Sequence, residues 1–269
     1  MIREITLGQY YQADSVIHRM DPRVKLFATF AYIISLFIVK NLIGYLLAAL
    51  FLIIAIILCK VPFKFMVRGM KAIVFLLLIA VFFNLFLTPG EVIFQYWKIK
   101  ITKEGITTAL QMAARLSFLV LGSSIMTLTT TPNNLTDGLE SSLKLLKLVR
   151  FPVHEIAMMM SIALRFIPIL LEETDKIMKA QMARGADFES GNLIAKTKSL
   201  VPLLVPLFIS AFRRANDLAM AMEARCYRGG DNRTKMKPLK YQGRDIAGYL
   251  IVLSYLALCI LSRRALPFI

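Results

Sequence analysis

The sequence predicts an all-α polytopic membrane protein with about five transmembrane helices and a helical cytoplasmic domain. Of its 269 residues, 57% are hydrophobic, and the mean hydropathy is +0.64, which is too apolar for an ordinary soluble domain of this length. Several apolar runs reach membrane-spanning length. Clusters of Lys and Arg flank those runs, as expected of cytoplasmic loops.

Five apolar runs predict the membrane spans, and together they divide the chain. The first run is short and is separated from the second only by Lys40-Asn41, which predicts a tight hairpin. We expect residues 1–130 to form a membrane domain with spans one to four, 131–243 to be cytoplasmic, and 244–269 to hold the last transmembrane helix and the C-terminus. The predicted spans are Leu26–Val39, Asn41–Cys59, Ala72–Thr88, Ile106–Thr130 and Asp245–Leu261.

Charge predicts the orientation of these spans. Basic residues precede span one and also lie between spans two and three, where no acidic residue accompanies them. Both places are therefore expected inside, which gives a multi-pass protein of the cell (cytoplasmic) membrane with an inside N-terminus. The Pro89–Glu104 loop then faces outward, with Tyr96 and Trp97 at the membrane interface. The same rule explains the net charge of +16 without a nucleic acid partner.

The cytoplasmic segment is predicted to be helical. Leu135–Leu148 is amphipathic, and two long helical patterns follow it. They are His154–Ala183, expected to be interrupted or kinked at Pro168, and Leu193–Ala224, with two prolines in its first half. Gly185 is expected to end the first long helix, and Gly229-Gly230 to stop the second. Two apolar stretches in these helices leave an alternative open, a re-entrant hairpin instead of helices at the membrane surface or against another protein. The stretches are Met158–Leu171 and Leu200–Phe212.

The two long patterns end in the same motif, Ala-x-x-Ala-Arg-small, with their arginines 41 residues apart. On a helix the two alanines and the arginine share one face, so each end presents a smooth surface with one projecting guanidinium that can bind a carboxylate or carbonyl. The simpler interpretation is favourable charge at a helix C-terminus. The repetition favours two similar partner sites. The candidate docking residues are Ala183, Arg184, Gly185, Ala224, Arg225 and Cys226.

Motifs for chemistry are missing from the sequence. There is no phosphate-binding loop, no G-x-G-x-x-G and no nucleophile–base arrangement, and the two histidines are far apart. We therefore expect a chain that is not an enzyme, with no catalytic, cofactor or metal site. The spans carry no Asp or Glu in their interior, which argues against a self-sufficient secondary transporter. Arg115, the one charge well inside a span, is either a fixed structural charge in the bundle or a snorkelling side chain.

The two Ala-Arg motifs and the segments before them resemble those of a known family. Ala-Arg-Gly near the end of a long cytoplasmic helix, followed about 40 residues later by a second Ala-Arg, is similar to the transmembrane T component (EcfT) of energy-coupling factor (ECF) type ABC transporters. The segment Ser15–Leu26 resembles the family's approach to span one, and Thr129–Pro132 resembles the end of the span before its coupling region. Cys226 stands where the first motif has Gly185.

The resemblance implies a transmembrane coupling subunit for ATP-driven vitamin or micronutrient uptake. Residues 131–243 would be a coupling-helix domain, in which Arg184 docks on one of two ABC ATPase subunits (EcfA and EcfA′) and Arg225 on the other. ATP hydrolysis would belong to those subunits, and a membrane-embedded S component would bind the substrate. The apolar helix faces, including Met158–Met160, would contact S components, although ordinary helix packing also explains them.

Two other functions stay open from the sequence. A conventional ABC permease subunit would carry its own substrate path and usually one coupling loop per chain, so two motifs in one chain count against it. A membrane enzyme or stand-alone carrier is disfavoured by the missing catalytic clusters and intramembrane carboxylates.

Overall fold

The computed structural model confirms an all-α polytopic membrane protein. It describes residues 10–39, 41–96, 99–144, 151–186, 188, 193–229, 236 and 238–265. The chain divides by its contacts into a larger unit, Gly8–Ser141 with Leu239–Ile269, and a smaller unit within Ser142–Pro238. These limits differ from the predicted domain limits at 131 and 243, which rest on charge and orientation and stay a prediction.

The larger unit holds six helices and one hairpin among its described residues. Each of the five predicted spans falls on one of its long helices, and four of them agree within about four residues at either end. The elements are α1 Pro22–Ile38, α2 Leu42–Cys59, α3 Phe63–Leu87, β1 Val92–Tyr96, β2 Ile99–Thr102, α4 Lys103–Thr129, α5 Pro132–Ser142 and α8 Gly243–Ala265. The exception is α3, which begins at Phe63, nine residues before the third predicted span.

Local sequence explains where these helices begin. Asp21 caps α1, because its carboxylate accepts a hydrogen bond from the Arg23 amide at 2.9 Å and Pro22 fills the first helical position. Thr102 caps α4 in the same way through the Gly105 amide at 3.0 Å. The amphipathic helix expected at Leu135–Leu148 begins earlier, at Pro132, and residues 145–148 lie outside the described part of the chain.

Aromatic packing forms the centre of the larger unit. Tyr32, Phe51 and Tyr255 bring α1, α2 and α8 together, with ring centroids 4.4 Å apart for Phe51 and Tyr255. Ser35 lies beside them and shares a 2.7 Å hydrogen bond with the Tyr255 hydroxyl. The outward faces of the same helices are apolar, as shown by exposed Phe30, Phe37, Leu46 and Ile57, which suits a lipid environment.

The outer loop contains two strands that the sequence analysis missed. β1 pairs antiparallel with β2, with Phe94 opposite Ile101 and Tyr96 opposite Ile99. The β-branched and aromatic residues of this stretch favour a hairpin, which the sequence analysis of the Pro89–Glu104 loop did not predict. Trp97, expected at the interface beside Tyr96, lies outside the described residues.

The smaller unit is built on two long helices. α6 spans Val153–Ala183 and continues through Pro168, and α7 spans Leu193–Ala224 and continues through two prolines. Both were expected from the sequence, α7 with the same limits.

Four helices are long and apolar enough to cross a membrane by length and composition, among the residues described. They are Leu42–Cys59, Lys103–Thr129, Val153–Ala183 and Gly243–Arg263, and Ile73–Leu87 is a shorter apolar helix. α6 is thus apolar enough to span, so the cytoplasmic position predicted for it rests on the charge argument alone and stays a prediction.

Candidate docking site at two helix ends

α6 ends in a cap that fixes the backbone around Arg184. The Ala186 amide donates to the Gln181 carbonyl and the Gly185 amide donates to the Met182 carbonyl, each at 3.0 Å. Gly185 has a φ of +89°, which glycine adopts without steric cost. These two bonds around a left-handed residue make a Schellman motif, in which Arg184 is the C-cap.

α7 ends in the same cap. The Tyr227 amide donates to the Met222 carbonyl at 3.0 Å, and the Cys226 amide donates to the Glu223 carbonyl at 2.8 Å. Cys226, with φ 55°, takes the left-handed position that Gly185 takes in α6. The stop expected at Gly229-Gly230 was therefore placed too late, because a cysteine closes this cap first.

Both ends present the candidate residues to the outside. Ala183, Arg184 and Gly185 are exposed, and so are Ala224, Arg225 and Cys226. The alanines one turn earlier, Ala180 and Ala221, are exposed as well. Since each arginine occupies the C-cap of its helix, its positive charge also stabilises the helix end by about 0.3–1 kcal/mol. The two helix ends are thus equivalent and accessible surfaces. Each arginine can stabilise its helix end and also bind a partner.

One polar cluster joins α6 to α7. The Glu173 carboxylate accepts hydrogen bonds from the Arg214 guanidinium, from Nε at 3.2 Å and from Nη2 at 2.8 Å, both to Oε2. The Ser210 hydroxyl donates to the other oxygen, Oε1. Both carboxylate oxygens are therefore occupied, and the side chain is fixed between the helices.

A cavity of about 260 Å³ lies beside this cluster. From α6 it is lined by Ile162, Phe166 and Leu170, all before Glu173, and from α7 by residues from Ala211 to Met222. Beyond it, α7 exposes Leu204, Val205, Phe208, Ile209 and Phe212. Met159 and Met160 of α6 are exposed too, so the unit offers apolar surface in addition to its two ends.

Arg115 contacts two other helices of the larger unit. Its Nε donates to the Tyr45 hydroxyl of α2 at 3.2 Å, and its guanidinium lies 5.8 Å from the centre of the Phe37 ring of α1. These contacts favour a structural charge within the bundle over a side chain that only snorkels.

A buried polar cluster around Lys25 and Asp245 was not expected from the sequence. Lys25 Nζ donates to the Thr129 carbonyl at 2.9 Å and to the His18 carbonyl at 3.2 Å. The Asp245 carboxylate, 1% exposed, accepts from the Asp21 amide at 2.9 Å and the Gln242 amide at 2.8 Å. These bonds tie the start of α1 to the end of α4 and to the first turn of α8. The charges of Ser15–Leu26 were visible in the sequence, but their partners are distant along the chain.

Metal chemistry finds no support in the described residues, in which no group of three or more His, Cys, Asp or Glu could hold an ion.

Comparison with known proteins decides the family. The model of the CbiQ family, described as cobalt transport protein, matches residues 13–236. A chain of Clostridium kluyveri named energy-coupling factor transporter transmembrane protein EcfT is 54% identical over 265 residues, which is 98% of each chain. Proteins of the same name from Thermosediminibacter oceani and Bacillus subtilis are 54% and 46% identical, over 93% and 95% of this chain and 94% and 98% of theirs.

This chain belongs to the EcfT family.

As a member of the EcfT family, the chain is a transmembrane component of a transporter, which agrees with its apolar helices. The fold class and the resemblance predicted from the sequence are thereby confirmed. The family model begins just before the Ser15–Leu26 approach and extends past Arg225, so it covers both helix-end motifs.

Proposed function

We propose that this chain is the coupling subunit of an ECF-type importer, in which the α6 and α7 ends each dock on one of two ABC ATPase subunits. The observation that carries the proposal is the pair of matching caps, each with an exposed arginine at the C-cap and exposed alanines on the same face. The S component would select the substrate, a vitamin or another micronutrient, and this chain would transmit motion from the ATPases to it.

Charge reversal of the arginines tests the docking. Arg184→Glu and Arg225→Glu should each weaken co-purification with the ATPases, because breaking a buried charged hydrogen bond costs about 2–5 kcal/mol. Each single variant should retain partial assembly through the other end, and the double variant should lose it. Lys179→Glu is the matched control, since Lys179 is exposed and lies about 140° around α6 from Arg184. Wild-type yield of ATPases with the double variant would refute the docking role.

Reconstitution in liposomes separates the coupling subunit from a conventional permease. With two ATPases bound, the complex should hydrolyse ATP, but uptake should require a further membrane subunit that binds the substrate. Uptake by this chain and the ATPases alone would give the chain its own substrate path and favour the permease.

The native cysteines test the proposed inside position of residues 131–243. Cys226 is exposed, whereas Cys59 and Cys259 are buried. A membrane-impermeant maleimide should label Cys226 in inside-out vesicles that lack the ATPase subunits and leave it unlabelled in intact cells. Glu91→Cys, at an exposed position of the outer loop, should show the opposite pattern. Labelling of Cys226 from outside intact cells would overturn this topology.

A further inference from the structure

Glu173 and Arg214 occupy equivalent positions in the two long helices. They are 41 residues apart, as are Arg184 and Arg225, so each stands 11 residues before the arginine that caps its own helix. Eleven residues are about three helical turns, or about 16 Å, and they return to nearly the same face. The ion pair therefore joins two points that are equally distant from the two proposed docking ends.

The cavity beside the ion pair shows the relative direction of the helices. On α6, the residues that line the cavity lie between Glu173 and the start of the helix, as far as Ile162. On α7, most of them lie between Arg214 and the end of the helix, as far as Met222. The two helices thus pass the ion pair in opposite directions. Arg184 and Arg225 consequently lie on opposite sides of it, separated by at most about 33 Å along the helix axes for a rise of 1.5 Å per residue.

The surroundings of the ion pair explain why polar contacts are needed there. Phe166, Leu170 and Leu218 line the adjacent cavity, and apolar contacts of this kind have no directional preference. The hydrogen bonds of the Glu173 carboxylate, from Arg214 to one oxygen and from Ser210 to the other, are directional. A slide of one helix by one residue, about 1.5 Å, would break these bonds. The ion pair is also only partly exposed, 21% for Glu173 and 40% for Arg214.

We infer that Glu173, Ser210 and Arg214 form a pivot that holds the α6–α7 crossing midway between the two docking ends and so couples ATPase movement to transport. The inference rests on the proposed function. Glu173 and Arg214 are positioning residues in this scheme, because the ATPases dock at the helix ends and not on this pair. The pivot prevents α6 from sliding along α7 when the ATPases move, so that their movement is transmitted.

The coupling ratio tests the pivot in liposomes that contain the whole complex, with both ATPases and an S component. Glu173→Ala should retain both ATPases and hydrolyse ATP, while substrate uptake per ATP falls at least about fivefold. Glu172→Ala, an exposed carboxylate one residue away, should keep the wild-type ratio. The double variant Glu173→Arg with Arg214→Glu restores opposite charges and should recover part of the lost uptake per ATP. An unchanged ratio in Glu173→Ala, or loss of the ATPases in that variant, would overturn the pivot.

A distance measurement tests the same pivot without transport. Spin labels on native Cys226 and on Ala183→Cys, both at exposed sites, report the separation of the two ends in the full chain in lipid nanodiscs. The distance distribution should be narrow with Glu173 and clearly broader with Glu173→Ala. An equally narrow distribution would contradict the pivot. Failure of the docking proposal is recognised separately, by ATPases that stay bound to the double arginine variant.

Discussion

The two helix caps lead to a pair of substitutions with opposite effects. Gly185 and Cys226 both occupy the left-handed position of a Schellman motif. A side chain in that conformation costs roughly 1–2 kcal/mol, and a glycine costs about 0.4–1 kcal/mol through the greater freedom of the unfolded chain. The difference is about 0.8 kcal/mol, or about a fourfold change in an opening equilibrium. Gly185→Ala should therefore loosen the α6 cap, and Cys226→Gly should tighten the α7 cap.

Steric conflict does not complicate the α6 substitution, because no atom lies within 4 Å of a Cβ placed on Gly185. Amide hydrogen exchange should show faster exchange at Ala186 in Gly185→Ala and slower exchange at Tyr227 in Cys226→Gly, each by about fourfold. Gly243→Ala is the control, since that site is equally open and has no left-handed φ. If Gly185→Ala exchanged like wild type, or Cys226→Gly exchanged faster, the assignment of these caps would be refuted.

Three further predictions concern the larger unit, and thermal unfolding of the purified chain checks each of them. Asp245→Ala should destabilise it by about 1–3 kcal/mol, because the buried Asp21 amide and the part-buried Gln242 amide lose their acceptor. Ser35→Ala should cost more than Tyr255→Phe. The Ser35 hydroxyl donates to the Tyr32 carbonyl, so the Tyr255 hydroxyl is the donor between them, and only Ser35→Ala removes the oxygen that accepts this bond. Burial lowers the pKa of His18, so the unfolded chain binds its proton first and stability should fall as pH drops below about 6.5; His18→Gln should lessen that fall, and equal pH dependence would contradict it.

The helices could be predicted from the sequence because their signals are local. Apolar runs and proline positions placed α2 and α7 within a residue or so of their observed limits. The repeated Ala-Arg motif located the C-terminal ends of α6 and α7. The β-hairpin was missed because its alternation is short and sits inside a loop flanked by spans. The end of α7 at Ala224 was predicted, but its cap was assigned to Gly229-Gly230. A cysteine, unlike a glycine, does not signal a left-handed position in the sequence.

Pairings between distant residues could not be read in the same way. The residues of α6 and α7 that meet are Glu173 and Arg214, and no pattern in the sequence singled them out. Many charges on α6 and α7 have a possible partner, and only the crossing point selects one. The same holds for Lys25, whose acceptors are the carbonyls of His18 and Thr129, since a backbone acceptor has no residue type to recognise.

The central claim, that the capped ends of α6 and α7 are ATPase-docking sites, is tested most directly at native Cys226. It is the exposed one of the three cysteines and lies next to Arg225. The measurement is its rate of alkylation in the purified chain, with and without saturating ATPase subunits, and Ala183→Cys reports the α6 end in the same way. Docking predicts that bound ATPases slow both reactions at least about tenfold, and that Arg225→Glu removes the protection of Cys226. Equal alkylation rates with and without bound ATPases would contradict the claim.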